Sequence, residues 1–168
     1  MQNKEIFINL VRFFALLFLQ VLLLNKINFL GYINPYLYIV FILIFPLSGN
    51  KALLIFLSFL LGLFVDIFSD SGGVHAAASV LIAYVRPLFL KFAFGVSYEY
   101  NMVKLNKTPI SERLVYISMM VFLHHIVLFS LEIFSVSHIL ILLKSTLFSG
   151  IFSIVLILCT LMLFSRKN

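Results

Sequence analysis

The chain has 168 residues, of which 63% are hydrophobic and only 11% charged, with a formal net charge of +6. A soluble domain carries about 25% charged residues because most of its surface meets water, so a chain this poor in charge has to be solvated by lipid. Its basic residues sit at the ends of apolar runs rather than on one polar face, which speaks against a nucleic-acid-binding module and for a role in membrane topology and contact with anionic lipid.

A spanning helix needs about 20 mostly apolar residues, whereas a membrane β-barrel shows alternating segments of roughly 10. The runs here are long and continuous. They predict an all-α integral membrane protein, with about six transmembrane helices in one bundle that occupies residues 1–168 as a single domain. The first span, 6–24, is too long for a signal-peptide core, and Asn25, Lys26 and Ile27 follow it in place of a small-residue cleavage site. A loop with Gly31, Asn34 and Pro35 leads to a shorter second span, 36–47, whose Tyr32, Tyr36 and Tyr38 read as interfacial aromatics. The third span is 52–68, followed by a turn containing Gly72 and Gly73. The fourth run, 74–94, is interrupted by Arg86 and Pro87. It reads either as one kinked helix or as a short span plus an interfacial helix, with Arg86 snorkelling to headgroups. The longest polar stretch, 95–113, holds Glu99, Lys104, Lys107 and Glu112, and spans 114–134 and 139–164 complete the chain. Cys159 is the only cysteine, so neither an internal disulfide nor a Cys-based metal site can form.

Six spans put both termini on one side. If that side is the cytoplasm, it holds Lys4, Arg12, Lys51, Arg86, Lys91, Lys104, Lys107, Arg113, Arg166 and Lys167, leaving Lys26 and Lys144 for the other. Positive charge stays cytoplasmic in short loops, so the asymmetry predicts a multi-pass protein with N- and C-termini in the cytoplasm.

Three polar sets lie in or near the bilayer. Ser58, Gly62, Asp66 and Asp70 recur every four residues and share one helix face. Asp66 is either a partner-docking carboxylate or a helix-end residue that reaches water or pairs internally. Gly72, Ala76, Ser79 and Ala83 form a small-residue stripe that admits close helix packing, on this chain or on a partner. His124 and His125 lie mid-span, with Glu132 on nearly the same face and His75 and His138 near the outer surface. Their spacing matches no metal-ligand pattern, so neutral imidazoles hydrogen-bonded within the membrane are the expectation. No nucleophile elbow and no phosphate-binding glycine loop appears, which leaves no predicted catalytic residue, cofactor or metal.

The order Gly62-Leu-Phe-Val-Asp66, the Gly72-Gly73 turn, and His75-Ala-Ala-Ala-Ser-Val-Leu-Ile-Ala-Tyr-Val-Arg-Pro87 resembles the core of the rod shape-determining MreD family. Gly31-Tyr-Ile-Asn-Pro-Tyr36 and the pair His124-His125 with Glu132 resemble its Bacteroidetes branch. The resemblance covers most of the chain in length, helix number and motif order. It implies a non-enzymatic inner-membrane component of the bacterial cell-elongation machinery. Such a component acts with the bitopic MreC and helps connect the actin-like MreB to the glycosyltransferase RodA and its transpeptidase. It also implies a fold like the substrate-binding subunits of energy-coupling-factor vitamin transporters.

Two rivals follow. A small-molecule binding subunit would need converging polar groups, for which Asp66, His75, His125, Glu132 and His138 are candidates. A proton-coupled transporter or intramembrane enzyme would use His124, His125 and Asp66 as relays. The scaffold expectation rests on Gly62, Asp66, Gly72, Gly73, Ala76 and Ser79 as partner-binding or helix-packing residues.

Overall fold

The structure is a computed structural model that describes residues 2–47, 49–95, 98, 108–134 and 138–165. Glu99, Lys104, Lys107, the turn at 135–137, Arg166, Lys167 and the side chain of Lys4 lie outside the described residues. The described chain is helical: α1 Gln2–Leu22 with a 3-10 turn Leu24–Lys26, α2 Ile39–Ile44, α3 Lys51–Ser69, α4 Val74–Phe94, α5 Ile110–Ile133 and α6 Ile139–Ser165. Five of these helices, all but α2, are long and apolar enough to cross a bilayer. The chain is a multi-pass, all-helical membrane protein.

The second run departs from expectation. Residues 36–47 do not form a spanning helix, because only the six residues of α2 are α-helical. The run is buried, with Tyr38, Ile39 and Ile42 at 0% exposure. Tyr36 and Tyr38 are therefore core side chains and not interfacial ones. Pro35 and Pro46 frame the segment, and Pro cannot continue a helix in either direction without losing a backbone bond. Residues 34–38 at no more than about 3.3 Å each, plus α2 at about 1.5 Å per residue, reach at most roughly 26 Å, somewhat less than the thickness of the hydrocarbon core.

Contacts fix the direction of each pass. Asn25 Nδ2 donates to Ser69 Oγ (2.7 Å), so α1 and α3 end on the same face, and α4 starts there after the turn at 70–73. The Tyr38 hydroxyl meets His75, while the Leu43 and Phe45 carbonyls meet Arg86, about 16 Å further along α4. The second run thus travels beside α4 in the same direction. Helix α5 returns, with Tyr116 at the level of Arg86 and His124 at the level of Tyr38. Helix α6 descends again, with Ser149 beside Tyr32 and Asn34 and Ser153 beside Tyr36. The broken second run is a sixth pass, and it brings the start of α1 and the end of α6 to one face.

The interior is centred on this broken pass, and the periphery is apolar. Phe7, Phe18, Tyr84, Leu88, Phe92, Leu140 and Met162 are all exposed, the arrangement that a lipid solvent favours.

Candidate functional site

The α3–α4 corner is built from Gly62, Asp66 and the turn between the helices. A Cβ placed on Gly62 would stand 2.5 Å from the Cα and 2.6 Å from the nitrogen of Ala76. The two backbones therefore touch, which only a glycine permits. One turn later the Asp66 carboxylate, 4% exposed, accepts from Ser71 Oγ (2.6 Å), His75 N (3.0 Å) and Ala76 N (2.8 Å). It caps the start of α4, where free N–H groups and the positive end of the helix favour an anion. The Asp66 carbonyl also accepts from the backbone of Asp70 and Ser71. Asp70, Gly72 and Gly73 carry positive φ, the left-handed conformation that tight reversals require and that glycine adopts without strain. Ala76, Ser79 and Ala83 are all buried. Of the two readings of Asp66 and the small stripe, the geometry displays internal pairing and internal packing.

The second pass lacks helical hydrogen bonds over 34–37, and irregular backbone at membrane depth survives only where protein satisfies it. Three side chains do so. Gln20 Oε1 accepts from the backbone N–H groups of Leu37 (2.8 Å) and Tyr38 (3.4 Å), while its Nε2 donates to the Pro35 carbonyl (3.0 Å) and to Asn25 Oδ1 (2.8 Å). Ser149 Oγ accepts from Asn34 N and donates to the Tyr32 carbonyl. Ser153 Oγ accepts from Tyr36 N (2.9 Å).

Around this pass lies an aromatic and imidazole cluster. The Tyr38 hydroxyl stands 3.0 Å from His75 Nδ1 and 2.7 Å from His124 Nε2. A single hydroxyl proton can be donated to only one ring, so the other ring has to donate to the oxygen. In the neutral cluster, one of the two facing nitrogens carries a proton and the other does not. His125 Nδ1 lies 2.8 Å from the Val121 carbonyl and must donate to it, which leaves Nε2 to accept from Ser153 Oγ (3.2 Å). The Tyr36 ring packs against His75, His124, His125 and Phe129.

At the opposite end, Arg86 contradicts the expected snorkelling. It is 4% exposed, and α4 runs through Pro87 as one helix to Phe94. Arg86 Nε donates to the Tyr116 hydroxyl (3.1 Å), and Nη2 donates to the carbonyls of Leu43 (3.2 Å) and Phe45. Those carbonyls end α2 next to Pro46 and have no helical partner, so a cationic donor inside the bundle is the better place for the side chain than the lipid surface.

The predicted residues thus divide. Gly62, Asp66, Gly72, Gly73, Ala76 and Ser79 gather at or within a turn of the α3–α4 corner, Ala83 lies further along α4 beside Arg86, and His124 and His125 join His75 in the buried cluster. Glu132 and His138 are exposed. Gln20, Ser149 and Ser153 were not singled out by sequence, although Ser145, Ser149 and Ser153 recur every four residues on one face of α6, and Tyr38 was read only as an interfacial aromatic. Among the described residues, no group of three His, Cys, Asp or Glu side chains is arranged to hold a metal ion. Comparisons with protein-family models, with curated proteins and with solved structures return no match.

Proposed function

We propose that this chain is a non-enzymatic inner-membrane scaffold of the cell-elongation complex, which binds an MreC-like bitopic protein and helps control peptidoglycan synthesis and cell shape. Both termini are cytoplasmic in this reading, in line with the distribution of Lys and Arg. The particular complex, including MreB, RodA and its transpeptidase, rests on the quoted sequence motifs alone.

The observation that carries the scaffold role is that most polar groups inside the bundle bond to one another, although His124 Nδ1 and Ser79 Oγ are buried without a partner among the described residues. Asp66 caps α4, Gln20 and Ser153 hold the second pass, and His75, His124 and His125 bond to Tyr38, Val121 and Ser153. A vitamin-type binding subunit would instead direct such groups at a ligand. With the Gly62–Ala76 face occupied internally, a partner helix has to meet the outer faces. One of these is the α4 stripe of Leu81, Tyr84, Leu88 and Phe92, all exposed and spaced by three or four residues.

The test is affinity purification of the tagged protein in mild detergent, with identification of co-purifying membrane proteins. Recovery of an MreC-like protein with the elongation synthases is expected. Recovery of ATP-driven transporter subunits, or of a tightly bound small molecule without wall-synthesis proteins, would refute the proposal in favour of the binding-subunit alternative.

A further inference from the structure

A second polar locus lies at the end of the bundle remote from the imidazole cluster. A small, partly open cleft is lined among others by Phe45, Leu47, Lys51, Arg86, Leu90 and Tyr98. Arg86 is its floor. Among the described residues, Nε and Nη2 make these bonds, Nη1 makes none, and all three acceptors are neutral. A buried cation whose described partners are neutral dipoles favours an anion beside it. Lys51 brings a second positive charge to the same pocket.

The depth of the pocket identifies the kind of anion. Helix α3 starts at Lys51 and spans 19 residues, about 28 Å at the α-helical rise, which matches the hydrocarbon thickness of about 30 Å. Lys51 therefore stands where the hydrocarbon gives way to headgroups. The start of α3 offers little to the anion itself, since Asn50 Oδ1 already accepts from the N–H groups of Ala52 and Leu53. The apolar part of the lining, Phe45, Leu47 and Leu90, suits the glycerol and upper acyl carbons of a lipid.

We propose that the Arg86–Lys51 pocket binds a phosphate group, supplied by the headgroup of an anionic phospholipid. Arg86 Nη1 and Lys51 Nζ hold the phosphate oxygens, and the α2–α3 loop forms one wall. The site is independent of the scaffold reading.

Native mass spectrometry of the intact detergent-solubilised protein tests it, with phosphatidylglycerol, phosphatidylcholine and inorganic phosphate each added alone. Phosphatidylglycerol should bind at least about fivefold more than phosphatidylcholine, the factor that roughly 1 kcal/mol per interfacial cation provides. Lys51→Gln should erase most of that preference. Leu47→Glu, which sets a carboxylate at the half-buried mouth, should do the same. Arg86→Gln should abolish the preference, and if that variant does not insert, the other two decide. An inorganic phosphate adduct that Leu47→Glu removes would support the pocket with the free anion as its source, whereas a lipid adduct without a phosphate adduct supports the headgroup. Equal binding of the two lipids, or a preference unchanged in both Lys51→Gln and Leu47→Glu, would overturn the proposal.

Discussion

Replacing Gly62 with alanine adds one methyl group, and the geometry makes that methyl costly. Its carbon would lie 2.5 Å from Ala76 Cα and 2.6 Å from both Ala76 N and the His75 carbonyl oxygen. All three are backbone atoms, so no side chain can swing aside. Restoring ordinary contact, about 3.5 Å between carbons, pushes α3 and α4 apart by about 1 Å. The Asp66 bonds to His75 N and Ala76 N, now 3.0 and 2.8 Å, would then stretch beyond hydrogen-bonding range. Overpacking costs about 1–3 kcal/mol and a lost helix cap about 1 kcal/mol, which together give about 2–4 kcal/mol. For a chain of this length each kcal/mol corresponds to about 2–4 °C in Tm, so Gly62→Ala should melt roughly 5–15 °C lower. The assay is size-exclusion chromatography of the detergent-solubilised protein after graded heating. Gly150→Ala is the control, because the three atoms nearest its Cβ all belong to the side-chain ring of Phe122 and none to the backbone. If Gly62→Ala melts within about 1 °C of the parent, less than any of these terms allows, the close approach of the two helices is wrong.

Other perturbations probe the remaining contacts. Asp66→Ala strands three donors and should cost about 2–4 kcal/mol, whereas Asp66→Asn retains one acceptor oxygen and should cost less; equal melting of the two would refute the cap. Tyr38→Phe leaves two buried imidazole nitrogens without their shared partner, at about 1–3 kcal/mol. Combined with His124→Phe the loss should be clearly less than additive, and strict additivity in heated-sample chromatography would rule out the bond. Gln20→Leu should raise amide hydrogen exchange at Leu37 and Tyr38 selectively, and unchanged protection there would dismiss Gln20 as their acceptor. Tyr84→Ala and Phe92→Ala, on the lipid-facing side of α4, should leave Tm within about 1 °C, because exposed positions contribute little to folding. A reduced yield of the co-purifying partner would identify that stripe as its docking face.

The long helices were legible because lipid solvation leaves a plain record. Lys51–Ser69 and Val74–Phe94 fall within a residue of the spans expected from apolar runs. The second pass was not legible, because hydropathy does not distinguish a segment facing lipid from one buried in protein on all sides. Arg86 was misread for a related reason. Its acceptors at Leu43 and Phe45 lie more than 40 residues away in sequence, and a local rule about prolines and headgroups has no access to them. The same distance hid Tyr38 as the partner of His124. Asp66 was half legible, since its spacing with Gly62 marked the face while its partners at His75 and Ala76 depended on the turn geometry.

The hydrogen bonds of the second pass also tie its completion to the last helix made. Residues 34–38 leave the ribosome before any of α3 to α6, yet two of the backbone N–H groups there, those of Asn34 and Tyr36, are satisfied by Ser149 and Ser153, more than 110 residues later. Until α6 arrives, that stretch has no stable place in hydrocarbon. A chain stalled before α6 therefore carries two unsatisfied backbone N–H groups at membrane depth, an open seam that α6 closes when its serines arrive.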